Sequence, residues 1–136
     1  MSKTAYVFYG LAGLTGPGSA FGPPSFGGLP FSQAAFLQGG GSSIGQRISG
    51  FSPGNYTLSL YLGSRGAGWR WDGEQTVEAL VDGNVIATWS LSGSMPFTLK
   101  TASFTISTGG AHVMEFDGTH FGDHTAFLSC VRIVPQ

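Results

Sequence analysis

The sequence predicts an all-β fold, and three observations carry that prediction. Apolar and polar residues alternate with period two, glycine and proline clusters punctuate the alternation, and no helical period persists for three turns. Tyr56, Leu58, Leu60 and Leu62 share one parity while Thr57, Ser59 and Tyr61 take the other, which gives a strand with one face in the core. Pro53-Gly54-Asn55 ahead of it reads as a turn, proline supplying a fixed φ and glycine a positive one. Gln75, Val77, Ala79 and Val81 repeat the inward pattern, and Asp82-Gly83-Asn84 is a hairpin signal leading into Val85 to Leu91. Ala102, Phe104 and Ile106 form the next strand, with Gly109-Gly110 as its turn. His112, Met114 and Phe116 set the inward parity of the strand after that, so His112 reads as a satisfied core histidine. Phe127, Val131 and Ile133 mark the last strand. Residues 32–38 read as strand too, because Gly39-Gly40-Gly41 would stop a helix there. Strands then recur about every 8 to 12 residues, the spacing of a sandwich or jelly roll.

Composition bounds the rest. The 136 residues fit one domain spanning 1–136, and 41% of them are hydrophobic, enough for a packed core. Residues 10–31 are rich in glycine and proline and read as an ordered loop. Its Phe21, Phe26 and Phe31 either cap the core or form an exposed binding or assembly surface. Only 10% of the residues are charged, and the six lysines and arginines are scattered from Lys3 to Arg132. No stretch is able to displace the counterions of a phosphate backbone, so nucleic acid is excluded as a partner. Cys130 is the one cysteine, cannot close an internal disulfide, and reads as a small buried hydrophobe. No segment approaches the roughly 20 apolar residues of a membrane helix, so no membrane insertion is expected. The opening MSKTAYVFYGLAG lacks the apolar run and small-residue cleavage site of a secretory signal.

Several runs in order carry a resemblance: SAFG in the loop, QAAFLQGGGSSIGQRISGFSPGNYTLSLYLGSR, the VDGNVIATW hairpin, TASFTIS and GDHTAFLSCVRI. Together they resemble the galactose-binding-like jelly-roll module of bacterial extracellular proteins, often found beside carbohydrate-active domains. The resemblance spans about residues 6 to 133 and implies a jelly-roll β-sandwich of two antiparallel sheets. It also implies a first strand resembling Asn-Gly-Ser-Phe-Glu, where this chain has Tyr6-Val7-Phe8, so a sheet edge is left for an oligomer or neighbouring protein to cover. Related modules hold a structural calcium with that glutamate and with acids after Ala-Phe-Leu of the last strand, where Ser129 and Cys130 stand here. A hard cation takes about six to eight oxygen ligands including carboxylates, so neither calcium nor any other metal or cofactor is expected.

Two clusters hold the candidate contacts. The run Arg65-Gly66-Ala67-Gly68-Trp69-Arg70-Trp71-Asp72-Gly73-Glu74 gathers two of three tryptophans with arginines and acids. Trp69 and Trp71 flanked by Arg65, Arg70 and Asp72, with Tyr61 nearby, suit a sugar, whose apolar face lies on a ring while its hydroxyls meet charged groups. The same residues serve protein interfaces, or fold back on the sandwich end with arginine stacked on the ring. The second cluster, Asp117-Gly118-Thr119-His120-Phe121-Gly122-Asp123-His124, matches no strong metal spacing. His120, Asp123 and His124 therefore read as loop anchors or ligand contacts, and the resemblance places an acid at the position of Asp123. Catalysis finds no support: Glu74 with Glu78 or Asp72 is the sole acidic cluster, Glu78 and Glu115 point outward, and no nucleophile motif is visible.

The resulting expectation is a non-catalytic carbohydrate-binding or adhesion module using loop-borne aromatics, with a glycan or cell-surface polysaccharide as ligand. The alternative is a structural component, decoration, tail or fibre, of a bacteriophage virion or similar assembly. Either acts extracellularly or on a particle, as a homo-oligomer or within a larger protein assembly, where multiplied weak contacts gain avidity.

Overall fold

The computed structural model describes residues 2–65 and 74–136. Among them there are nine strands: β1 (Ser2–Lys3), β2 (Val7–Thr15), β3 (Ala34–Phe51), β4 (Gly54–Ser64), β5 (Gln75–Val81), β6 (Asn84–Leu91), β7 (Thr98–Ile106), β8 (Gly110–Gly118) and β9 (Thr125–Pro135). No described residue is helical, and no helix is long and apolar enough to cross a membrane. The hydrogen-bonded order is β6-β5-β8-β3-β9-β4-β7, every pair antiparallel, with β1 and β2 attached to β3. This is the all-β jelly-roll sandwich that the alternation predicts.

β3 joins the two layers. Its later residues, Ser42 to Ile48, pair with β8, while Ala35 to Gln38 pair with β9. The chain turns the corner between them at Gly39 and Gly41, where φ is +77° and +80°, values an L side chain rarely adopts. β2 follows β3 around this corner: Val7 to Tyr9 pair with Gly45 to Ser43, and Leu11 to Thr15 with Gln38 to Ala34. Part of the glycine-rich segment expected as a loop over 10–31 is therefore strand, and the irregular stretch begins at Gly16. Pairing rather than pattern makes it so. β2 is an edge strand with both Leu11 and Leu14 exposed, so no alternation announces it. The N-terminal run thus covers β3. Beyond Leu128, β9 pairs only with β4 among the described residues, and its side facing β1 has no strand neighbour.

Leu37, Ile44, Leu58, Leu60, Leu62, Val77, Phe116 and Leu128 form the core between the layers. The turn from β3 into β4 is fixed by Tyr56, whose hydroxyl donates to Ser52 O at 2.8 Å and accepts from Ser52 N at 3.2 Å. A second cluster lies on the outer side of the β9-β4-β7 layer, where Ala34, Phe36, Phe97 and Phe127 are buried beneath Phe21, Phe26, Leu29 and Phe31. Phe21 stacks on Phe36 with centroids 4.0 Å apart, and Phe31 meets Phe97 edge-on at 5.0 Å. The three loop phenylalanines cap this face.

Two expectations are corrected. Cys130 is exposed, because β9 bulges there: its φ is +56° and the register against β4 shifts, which turns the thiol outward. His112 is not a core residue. It sits at the end of β8, where one ring nitrogen meets Asp82 Oδ2 at 2.5 Å and the other Thr108 O at 2.7 Å, so it is satisfied from the rim.

Candidate functional site

One end of the sandwich gathers the loop from Thr119 to His124, the start of β5, the corner of β3 and the end of β4. Gln75 holds it together. Its inward parity buries it to 1% exposure, and a buried amide needs its partners. Nε2 donates to His124 O at 3.0 Å and Gly39 O at 3.4 Å, while Oε1 accepts from Thr76 N at 3.0 Å and His120 N at 2.7 Å. In sequence Gln75 is one more inward position of its strand, and a polar residue at a core parity is the signal of such a role. Gly118 lets the strands close here, since a Cβ would lie 2.4 Å from Ser42 Oγ and 3.0 Å from Gly39 O.

Arg65 is the second pin. It is buried, with Nε donating to Phe21 O at 2.7 Å and a terminal nitrogen pairing with Asp123 Oδ1 at 2.7 Å. Asp123 Oδ1 also accepts from Gln38 Nε2. One ion pair thereby ties the capping loop, β3 and the 119–124 loop to the end of β4. His120 and His124 lie against each other with ring centroids 3.8 Å apart and planes tilted by 33°. Of the residues singled out in sequence, the structure brings Arg65, Asp123, His120 and His124 to this end. Tyr61 lies elsewhere, its ring 5.4 Å from Phe31 in the capped cluster. Trp69, Arg70, Trp71 and Asp72 lie outside the described residues.

The same loop delivers a residue that was not singled out. Phe121 is 81% exposed, and its ring rests over Gly40, where a Cβ would come within 2.8 Å of ring carbons. It borders a groove of about 430 Å³ lined also by Ser43, Glu115, Asp117 and Thr119, on the outer face of the β6-β5-β8 layer. Register builds that face. Thr88 lies opposite Glu78, Glu78 opposite Asp117, Asp117 opposite Ser43, and Ser43 opposite Tyr9, which is 64% exposed. Residues directly opposite across antiparallel strands share a face, so this row runs from a threonine through two acids and a serine to an aromatic ring. Among the described residues Glu78, Glu115 and Asp117 form an acidic cluster, because pairing across β5 and β8 brings them together, while Asp72 lies outside the described residues.

Burial pushes the Asp117 carboxyl up to about 7, helped by its hydrogen bond with Glu115 and by the charges of Glu115 and Glu78. Asp117 Oδ1 is itself buried and has no hydrogen-bond partner among the described residues. Signals for this group existed in the sequence: Glu115 and Asp117 have equal parity, and Phe121 stands exposed to no core pattern between polar loop residues.

The position expected to lack calcium ligands is now visible. Ser129 Oγ donates to Gln33 O at 2.7 Å, and Gln33, Ser129 and Cys130 line a pocket that no carboxylate borders. These donors do not fit a hard cation. Among the described residues no group of three or more His, Cys, Asp or Glu is placed to hold a metal ion.

The fold is the jelly roll of carbohydrate-binding modules. Similar structures include a family 35 carbohydrate-binding module from Clostridium thermocellum, with TM-score 0.65 and 12% identity over 100% of both chains. A CBM36 module in complex with calcium and xylotriose matches with TM-score 0.63 and 13% identity, covering 98% of this chain and 100% of that one. The C-terminal domain of EclA, a sugar-binding protein, gives 0.58 and 13% over 96% of this chain and 78% of that one. No protein-family model matches the chain, and no curated protein matches it in sequence.

Proposed function

We propose that the chain is a non-catalytic carbohydrate-binding module whose ligand lies in the groove beside Phe121. The observation that carries this is the exposed Phe121 ring beside a groove whose walls carry the carboxyls of Asp117 and Glu115. A sugar suits such a groove, its apolar C–H face lying on the ring and its hydroxyls meeting the polar groups of the walls. Ser43, Thr119 and Glu115 line the same groove and add further hydrogen-bonding groups. Structural neighbours that are themselves carbohydrate-binding or sugar-binding support the reading.

The structural neighbours that match over nearly the whole chain are carbohydrate-binding modules, which supports binding without catalysis. Trp69, Trp71, Arg70 and Asp72 fall between the stems Arg65 and Glu74, and we propose that they add contacts at this end.

The test is a glycan array followed by calorimetry on the best ligand. Phe121→Ala should weaken binding by about tenfold or more while stability stays within about 0.5 kcal/mol, as for an exposed substitution. Trp69→Ala and Trp71→Ala extend the same measurement. A wild-type chain that binds no glycan, or a Phe121→Ala chain that binds as tightly as wild type, overturns the groove assignment.

A further inference from the structure

A second cleft opens where β9 parts from β1. It holds about 320 Å³ and is lined by Lys3, Tyr6, Gln46 and Arg132 above the apolar side chains of Ile48 and Ile133. An adjoining notch shares Lys3 and adds Arg47. Lys3, Arg47 and Arg132 are half of the chain's six cationic residues, all three are exposed, and none makes an ion pair among the described residues. No acid lines either the cleft or the notch. Among the described acids, Glu78, Glu115 and Asp117 stand on the outer face, Asp82 at a hairpin, Asp123 on Arg65 and Glu74 ahead of β5. Among the described residues the cleft is thus a positive recess in a chain whose net charge is only -1.

We infer that this cleft is a second binding site, for an acidic glycan carrying carboxylate or sulfate groups. Tyr6 is 45% exposed and lines the recess, so it offers a ring to a sugar. The free edge of β9 beyond Leu128 provides backbone donors and acceptors along the wall, the kind of unpaired groups that hydroxyls satisfy. Lys3 and Arg132 supply charge-assisted hydrogen bonds to the anionic substituents. A nucleic acid fits less well. Each phosphate contact contributes about 0.9 to the salt slope, and a trio of cations leaves the slope shallow and the binding weak. The site is independent of the Phe121 groove and of any ligand found there.

The experiment uses the whole chain and two probes, polygalacturonate for carboxylate and dextran sulfate for sulfate, with single-stranded DNA as the competing polyanion. At least one glycan should bind, with affinity that falls as salt rises. The double variant Lys3→Gln, Arg132→Gln should lose about tenfold or more, and which probe binds identifies the anionic group. Lys100→Gln removes the same kind of charge from β7, which β4 and β9 separate from the cleft, and should change affinity by less than about twofold. Phe121→Ala should bind the acidic glycan as wild type does, so failure in the groove and failure here are read separately. Absence of binding to both glycans overturns the inference. So does an equal loss in Lys100→Gln, which would mean net charge alone, or DNA binding as tight as the glycan.

Discussion

The two outer faces of this sandwich are treated in opposite ways. On the β9-β4-β7 side, Phe36, Phe97 and Phe127 point away from the main core and are buried again under Phe21, Phe26 and Phe31. On the β6-β5-β8 side, Thr88, Glu78, Asp117, Ser43 and Tyr9 form a row that no cluster of the described residues caps, and Phe121 stands at its border. A covered face stabilises the fold; an open face with an exposed ring and carboxyls is free to bind. The difference teaches that aromatic content alone does not locate a binding surface in this chain. Most phenylalanine rings of the irregular segment are structural, and the exposed one sits in a loop read for its histidines and aspartates.

The sharpest way to break this comparison is to cut one ring from each face. Phe36→Ala should destabilise by about 3 to 5 kcal/mol, because it removes the ring on which Phe21 stacks and opens a cavity under the cap. Denaturant titration checks it. Phe121→Ala should change the same measurement by no more than about 0.5 kcal/mol. Equal losses in the two variants would end the distinction between a capped face and an open one.

Gln75 tests what holds the open face in place. Gln75→Leu keeps the volume but leaves His120 N and Thr76 N without the side-chain oxygen they share, while Gly39 O keeps Ser42 Oγ and His124 O keeps Gly39 N. The expected cost is about 2 to 3 kcal/mol, since buried polar groups left unsatisfied lose their full desolvation energy. Hydrogen exchange should show the 119–124 loop opening more readily, and glycan binding should weaken with it even though Gln75 lies outside the groove lining. Unchanged exchange in that loop would show that the Arg65 to Asp123 pair suffices alone.

Much of this architecture was legible beforehand. Period-two burial located β4 to β9, because each has one face in the core and alternation records that directly. The Asp82-Gly83 hairpin was legible because positive φ at both positions, +49° and +80°, selects those residues. β2 was not, since an edge strand paired only to β3 leaves its leucines in solvent and shows no period. The acidic row was not, because Glu78 and Asp117 are distant in sequence and meet only through register. Of the candidate site, Arg65 and Asp123 were both named, but their partnership is a tertiary contact that composition does not encode.

The open face should also report its own ionisation. Asp117 has an ordinary carboxyl value of 3.8 when unfolded and about 7 when folded, so the folded state disfavours its charge. The stability linked to it is complete below 3.8 and is lost as pH rises through about 7. Asp117→Asn removes this loss. It should flatten stability across that window and raise it at pH 7.5 by about 1 kcal/mol, with solvent screening holding the gain down. In Tm that is about 4 °C for a chain of this size. A wild-type profile flat from pH 4 to 7.5 would mean that neither burial nor the neighbouring acids raise Asp117.

The smallest effect lies away from both faces, at the rim, and sharpens the comparison by serving as a control. His112 is held above its ordinary 6.5 by its hydrogen bond to Asp82 and then by the Thr108 carbonyl. Burial would raise Asp82, but the hydrogen bonds from His112 and Val113 outweigh it and hold the carboxyl below 3.8. The histidine's contribution is complete below 6.5 and fades as pH rises past its elevated value; the aspartate's is complete above 3.8 and fades as pH falls through its depressed value. Between 3.8 and 6.5 the pair is fully formed. The Asp82 side chain is 43% exposed and that of His112 15%, so solvent screens the pair and His112→Gln should lower Tm in that window by only about 1 to 2 °C. At pH 8.5 the gap should close. Because Asp117 loses stability over part of the same range, the double variant His112→Gln, Asp117→Asn separates the two: its profile should be flat, and any slope that survives belongs to neither pair.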